Sequence, residues 1–239
     1  FNGEQYPLPE YLERDAYVER IHKASFTEPP QAAAPLKPGE VDRFEVSAFQ
    51  ESGGRTSCPL PSEFEANIAP GEGGVMIRLE AGNERNKERA AGGAFNAYVY
   101  GPEMISRAYA VAPGNVLEDM LPVAGECHVR IDGPNGFMRE LVSATTASFT
   151  AEVRTQDGQL ALTLGNPSAH EIAITLADES YGDRLKPVSL KPGEKQSVMV
   201  STGAGKQWYD VSASAGETRY RFAGRVETGA WTVSDPAMG

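Results

Sequence analysis

The sequence predicts a mainly β chain in which two tandem antiparallel β-sandwiches follow a short helix and an extended linker. Three observations predict it. Similar segments recur in the same order in two halves, apolar residues alternate with polar ones over short stretches, and turn chemistry separates those stretches. With 40% hydrophobic residues, 25 glycines and 17 prolines in 239 residues, the composition suits a turn-rich β-protein better than a helical bundle or a disordered chain.

The repeat is anchored on residues 126–141. Cys127, Val129 and Ile131 alternate with polar neighbours, Gly133-Pro134-Asn135-Gly136 supplies a reversal, and a second strand begins at Phe137. Proline presets one turn torsion, while glycine and asparagine accept the positive φ that a tight reversal demands. The echo is Tyr209–Gly216 leading into Thr218–Ala223, with Val129 falling on Val211 and Arg139 on Arg221. Upstream, Pro113-Gly114 matches Pro192-Gly193, and Tyr109 and Val111 match Val188 and Leu190. Further back, Ile77, Leu79, Ala81, Gly82 and Asn83 match Leu160, Leu162, Leu164, Gly165 and Asn166. Order is kept and spacing shifts in turns, as tandem duplication requires, because insertions collect where the backbone can face water.

Taken in order, Pro9 to Ala24 reads as a helix. Proline suits a first turn, Glu10 the positive helix end, and Tyr17, Ile21 and Ala24 line a narrow apolar stripe beside Leu12. So narrow a stripe needs another surface to stay folded. Residues 25–57 have linker composition, with Pro29-Pro30 and Ala32–Gly39, and a short strand is expected over Phe44, Val46 and Phe49. The expected division is 1–57 helix and linker, 58–142 first sandwich, 143–239 second sandwich and tail. Strands are expected near 60–69, 74–81, 94–100, 107–112, 116–121, 126–132 and 137–142, then near 147–155, 158–164, 170–176, 186–191, 195–201, 207–213 and 218–223. Asn83–Ala90, rich in charge, reads as a solvated loop or short helix, and the tail after Phe222 as one edge strand. Seven short strands per copy point to immunoglobulin- or fibronectin-like sandwiches. Tyr209 and Cys127 fall on comparable strands near the two cores.

The net charge of -11 disfavours nucleic acid and anionic membranes, since phosphate recognition needs a positive field. No apolar run approaches the ~20 residues of a membrane-spanning helix. The first residues show no basic segment followed by an apolar signal core, and the sequence reads as a portion of something longer. Cys58 and Cys127, the only cysteines, read either as unpaired thiols or as a disulfide joining the first and penultimate strands of the first copy, which would imply an oxidising compartment.

Three stretches together carry a resemblance: Gly133–Glu140, Trp208-Tyr209-Asp210, and Gly224–Gly229 followed by Ser234-Asp235-Pro236. They resemble the C-terminal region of bacterial phosphocholine-preferring, hemolytic-type phospholipase C, in which two copies of a small β-rich domain follow a large catalytic domain. Phe1–Leu12 resembles the end of the catalytic portion. The resemblance implies a parent enzyme that releases phosphocholine from phosphatidylcholine or sphingomyelin and is secreted or periplasmic, exported by the twin-arginine route.

The fragment itself carries no expected catalytic residue, metal or cofactor. Metal-assisted phosphoester hydrolysis needs convergent Asp, Glu and His, and His22, His128 and His170 have no ligand-like spacing. Cys58 lacks a persuasive base, no Gly-x-Ser-x-Gly elbow occurs, and Gly71-Glu72-Gly73-Gly74 reads as a hairpin turn. Asp178–Asp183 reads as a charged turn, with calcium binding the sharper alternative. Trp208, Tyr209, Tyr220 and Trp231 read as half-buried strand packing, with a choline cradle as the sharper reading and Trp208, Tyr209 and Trp231 as its candidate lipid contacts. The leading expectation is a non-catalytic accessory region that packs on the catalytic domain and orients it toward zwitterionic phospholipid. The alternative is an independent cell-surface, lipid or glycan binding module, and a secretion or chaperone contact is a third.

Overall fold

The structure, a computed structural model, describes residues 14–23, 55–123, 125–144, 147–156 and 158–238. The chain forms two units, residues 1–48 and 49–239. In the first, the described part is helix α1, Arg14–Lys23, with Arg20, His22 and Lys23 in its last turn, where cations meet the negative end of the helix dipole. Lys23 pairs with Glu19 one turn back at 3.5 Å. The proline-rich linker and the short strand expected over 44–49 lie outside the described residues.

Among its described residues the second unit holds β1 (Thr56–Ser57), β2 (Phe64–Gly71), β3 (Gly74–Ala81), β4 (Gly93–Val99), β5 (Ile105–Val111), β6 (Asn115–Pro122), β7 (Cys127–Asp132) and β8 (Met138–Ser143). It continues with β9 (Thr150–Gln156), β10 (Gln159–Gly165), β11 (Ile172–Asp178), β12 (Val188–Leu190), β13 (Lys195–Val200), β14 (Trp208–Ala215), β15 (Thr218–Arg225) and β16 (Thr232–Val233). The charged stretch after β3 contains a single 3-10 turn, Lys87–Arg89. Burial alternates along β3, β4, β7 and β15, the two-residue period of a strand with one face in the core.

Strands β2-β3-β6 and β9-β10-β13 form two three-stranded sheets, and β12-β11-β14-β15-β8-β7-β4-β5 form one of eight strands. Both copies follow one plan. The first, second and fifth strands make the small sheet, and the other four make half of the large one. The halves join because the last strands pair antiparallel, with Tyr220 opposite Leu141, Arg221 opposite Glu140 and Phe222 opposite Arg139. Two copies therefore share a sheet, a union that the repeat pattern does not announce. One apolar core runs through both, from Ile77, Leu79 and Phe95 to Leu160, Leu162 and Phe222, each such side chain contributing about 1.5–3 kcal/mol by its burial.

The small sheets meet edge to edge along β2 and β9 without a backbone ladder between those strands. Instead, side chains of β2 stand in the seam: Val153 N–H donates to Asn67 Oδ1 at 3.1 Å and Thr155 N–H to Glu65 Oε1 at 3.3 Å. Arg139, 2% exposed, crosses from the large sheet and donates from Nε to the Ala66 carbonyl at 3.1 Å.

The pairing corrects one sequence match. Arg139 lies opposite Phe222 and Arg221 opposite Glu140, so the two arginines point to opposite faces. Val129, opposite Leu141, and Val211, opposite Phe222, both face the core. The first hairpin has one residue more between these positions than the second, and a slip of one residue turns every side chain to the other face. The counterpart of Arg139 is Tyr220, whose hydroxyl donates to the Phe149 carbonyl at 3.2 Å. Arg139 ties the last strand of its copy to the first, and Tyr220 ties the last strand of its copy to the residue that leads into the first.

Candidate functional site

A groove of about 760 Å³ opens between the copies at one end of the second unit. Its walls are the connection from β3 to β4, the turn from β7 to β8, the end of β9 and the segment after β15. That turn is Gly133-Pro134-Asn135-Gly136, where Asn135 and Gly136 take φ of 55° and 71°, as a reversal between close strands requires. Ring edges of Phe64, Phe95 and Phe137 meet beneath it, with centroids 5.4 and 5.7 Å apart across Phe95.

Fixed charges line the groove. Glu63 accepts the N–H groups of Arg85 and Asn86 at 2.9 and 2.8 Å and the Asn86 amide at 3.0 Å. Burial alone would raise its pKa, yet these donors hold it below the ordinary value. Glu227 accepts the Leu60 N–H at 3.2 Å and Arg225 Nε at 2.7 Å, and its carbonyl accepts Arg85 Nη1. Arg225 continues to Ser57 Oγ at 2.8 Å and the Cys58 carbonyl at 3.2 Å. The segment leading into β2 is thereby fastened to the end of the second copy, where β1 also pairs with β16.

Glu65 stands opposite Glu80 across the ladder. Its Oε2 is buried without a hydrogen-bond donor, although Arg154 Nη1 lies 3.3 Å away. Burial raises the Glu65 pKa, and neighbouring Glu80 adds to the rise against the pull of Arg154. The lining carries Glu63, Glu65, Glu80, Glu84 and Glu227 against Arg85, Arg154 and Arg225, a surplus of negative charge built mostly into structural bonds. Among the described residues, no three His, Cys, Asp or Glu side chains converge as a metal site.

The sequence candidates fall elsewhere and apart. Cys58 is exposed, Cys127 is buried on β7, and both are free thiols, so the disulfide envisaged between them is not formed. Burial pushes the Cys127 thiol up. Trp208 and Tyr209, read as lipid contacts, are buried at 7% and 5% exposure, whereas Trp231 is 69% exposed. The reason is their position on β14. Tyr209 faces inward beside Gly224, where a Cβ would come within 3.0 Å of the tyrosine hydroxyl, and that hydroxyl accepts Arg139 Nη2 at 3.0 Å. Trp208 faces outward, but its indole N–H donates to the Val233 carbonyl at 3.0 Å beneath the tail. No choline cradle forms from these two.

The acidic turn is a scaffold of its own. Asp178 accepts the N–H groups of Ser180, Tyr181 and Asp183 at 3.1, 2.8 and 3.0 Å. Asp210 receives Arg221 through Nε and Nη2 at 2.8 and 2.6 Å and the Ser180 hydroxyl at 2.7 Å. Burial opposes ionisation of Asp210, but Arg221 and Ser180 hold its pKa below the ordinary range. Glu179 binds Ser212 and Arg219 and is likewise depressed. Of the histidines, His128 touches Glu140 Oε1 through Nε2 at 3.0 Å and stacks on Tyr100 with centroids 4.3 Å apart. His22 and His170 are exposed. Sequence reasoning missed the groove, and missed Arg139; the latter's signal was an arginine at the inward parity of an otherwise apolar strand, Phe137, Arg139, Leu141.

Residues 56–142 match the model of the bacterial phospholipase C, C-terminal domain. Over its whole length the chain is 30% identical to a non-hemolytic phospholipase C of Pseudomonas aeruginosa, of which it spans 35%. It is 26% identical, over 79% of its length, to a hemolytic phospholipase C of the same organism, of which the match spans 30%. A non-hemolytic phospholipase C of Burkholderia pseudomallei is 31% identical over 44% of the chain and 17% of the relative. The chain thus spans about a third of the length of the first of these relatives.

Proposed function

We propose that this chain, which is similar to the C-terminal region of bacterial phospholipases C, is a non-catalytic accessory unit that packs on the catalytic portion of an exported, phosphocholine-releasing parent enzyme and stabilises it. The observation that supports this reading most is the likeness to phospholipase C along the whole chain, which spans only a third of the relative. The rigid frame of the second unit fits a docking role. Two copies share a sheet, a buried arginine and a carboxylate seam, and such an element presents a fixed surface at little conformational cost. Lipid contact, if the unit supplies any, falls to Trp231, the exposed member of the aromatic set.

The test adds this chain to the separately made catalytic portion. Thermal unfolding and hydrolysis of p-nitrophenylphosphorylcholine are followed with and without it. A higher unfolding temperature or activity on mixing is expected, with no hydrolysis by the chain alone. Hydrolysis by the chain alone, or indifference of the partner at concentrations that saturate any contact, overturns the reading. Retention on phosphatidylcholine vesicles, lost in Trp231→Ala, would add the lipid role.

A further inference from the structure

We propose that β5 of the first copy is a self-association edge, pairing antiparallel with β5 of a second copy of this chain. The two ends of the eight-stranded sheet are guarded very differently. At one end, β12 has only Val188–Leu190, bracketed by Lys186-Pro187 and Lys191-Pro192. Short length, proline and lysine are the ordinary means of keeping a sheet edge from accepting another strand. At the other end, β5 runs Ile105–Val111 in unbroken register against β4, from Gly93 opposite Val111 to Val99 opposite Ile105. It contains no proline, lysine or bulge, and among the described residues no strand pairs with its outer side.

The strand is also complementary to itself. Its midpoint is Ala108, so full antiparallel overlap sets Ala108 against Ala108, Ser106 against Ala110 and Ile105 against Val111. The outward side chains Ser106, Ala108 and Ala110 are exposed and small, and no like charges oppose one another among them. The strand's one charge, Arg107, is held by Asp119 of β6 at 2.6 Å, and Asp119 also accepts the Tyr109 hydroxyl at 2.7 Å. That bond makes β5 and β6 edges of one flank. Next to it the large apolar side chain of Met104, 62% exposed, immediately precedes β5. A seven-residue strand pair is small beside the ~1,200 Å² of a stable interface, so the association is expected to be weak. The expected assembly is a reversible C2 dimer with a continuous sixteen-stranded sheet. Because each chain carries a net charge of -11, association should strengthen with salt.

The test is sedimentation velocity of the whole chain over a concentration series. Wild type is expected to show a reversible monomer–dimer equilibrium. S106K/A108K/A110K and S106D/A108D/A110D place three like-charge pairs across the dyad, so each alone should dimerise roughly tenfold more weakly, and an equimolar mixture should recover a heterodimer. Thermal unfolding confirms that each variant folds. If a triple variant does not, A108K and A108D alone carry the same test with a smaller shift. A wild type that stays monomeric throughout, or charge variants that associate as wild type does, overturns the proposal. So does capture of the separate catalytic portion by this flank, blocked by the lysine variant, when the chain by itself remains monomeric. The accessory reading survives failure of this test, since its own readout is the stability and activity of the partner.

Discussion

The two copies share a strand plan and differ in what covers them. In the second, Trp208, Asp210 and Ser212 point to the outer face of the large sheet and are nevertheless buried, because the connection after β11 and the tail after β15 fold over it. Tyr181 in the first of these donates its hydroxyl to Asp235 in the second at 2.8 Å. In the first copy the matching positions on β7, His128 and Arg130, are only half-buried, while the outward residues of β4 and β5, such as Ala94 and Ala108, are exposed like Ala173, Thr175 and Ser189 on β11 and β12 of the second. Duplicated strands keep their core because packing tolerates little change, whereas connections diverge freely. The difference teaches that the chain covers the outer face of β14 in the second copy more completely than that of β7 in the first.

The comparison breaks most severely at the residue that joins the copies. Arg139 donates to the carbonyls of Ala66, Met138 and Ala223 and to the Tyr209 hydroxyl, with its guanidinium 4.0 Å from the centre of the Phe137 ring. Arg139→Ala removes these donors together and leaves a cavity, so a loss of about 3–5 kcal/mol in urea unfolding is expected. Next comes the closed face of the second copy. Asp210→Asn weakens the paired bonds from Arg221 and the bond from Ser180, at a cost of about 2 kcal/mol at neutral pH. The Asp210 pKa is depressed in the folded state, so the contribution is present above the unfolded value and lost as pH falls through the folded one. The variant should therefore show a flatter loss of stability between neutral pH and pH 3. Smaller again is Tyr220→Phe, the second copy's version of the Arg139 tie. One hydrogen bond to Phe149 is lost, and about 1 kcal/mol is expected. A cost equal to that of Arg139→Ala would mean that the two ties are equivalent and that the asymmetry lies elsewhere.

Much of the fold was legible because side-chain alternation and turn chemistry are local. The expected strand over 74–81 coincides with β3, and Pro113-Gly114 and Pro192-Gly193 form corresponding turns with Gly114 and Gly193 at φ of 78° and 72°. What escaped was long-range. Pairing of β8 with β15 depends on which edges meet, and nothing in either strand alone names its partner. The burial of Trp208 depends on a tail that reads as a short edge strand in sequence. The same tail makes part of the groove wall, so the groove was invisible too: Glu227 lies far along the chain from Glu63 and Glu65, and each looks individually like ordinary surface charge.

The finest test lies in the seam between the small sheets, where the pH dependence has the opposite sign from that of Asp210. Glu65 faces Glu80 and Arg154, with Arg139 also within electrostatic reach, and its pKa is raised by burial first. A carboxyl that binds its proton more tightly when folded stabilises the protein fully below the unfolded pKa of about 4.3, and that stability is lost as pH rises through the folded value. Glu65→Gln fixes the neutral form while keeping an oxygen for the Thr155 N–H. It should raise stability at pH 7 by less than about 1 kcal/mol, with the gain shrinking toward pH 4. Urea unfolding of both proteins at these two pH values checks it. Destabilisation at pH 7 would instead make the ion pair with Arg154 the dominant interaction of the seam, so that opposed charge, rather than a buried carboxyl, holds the copies together there.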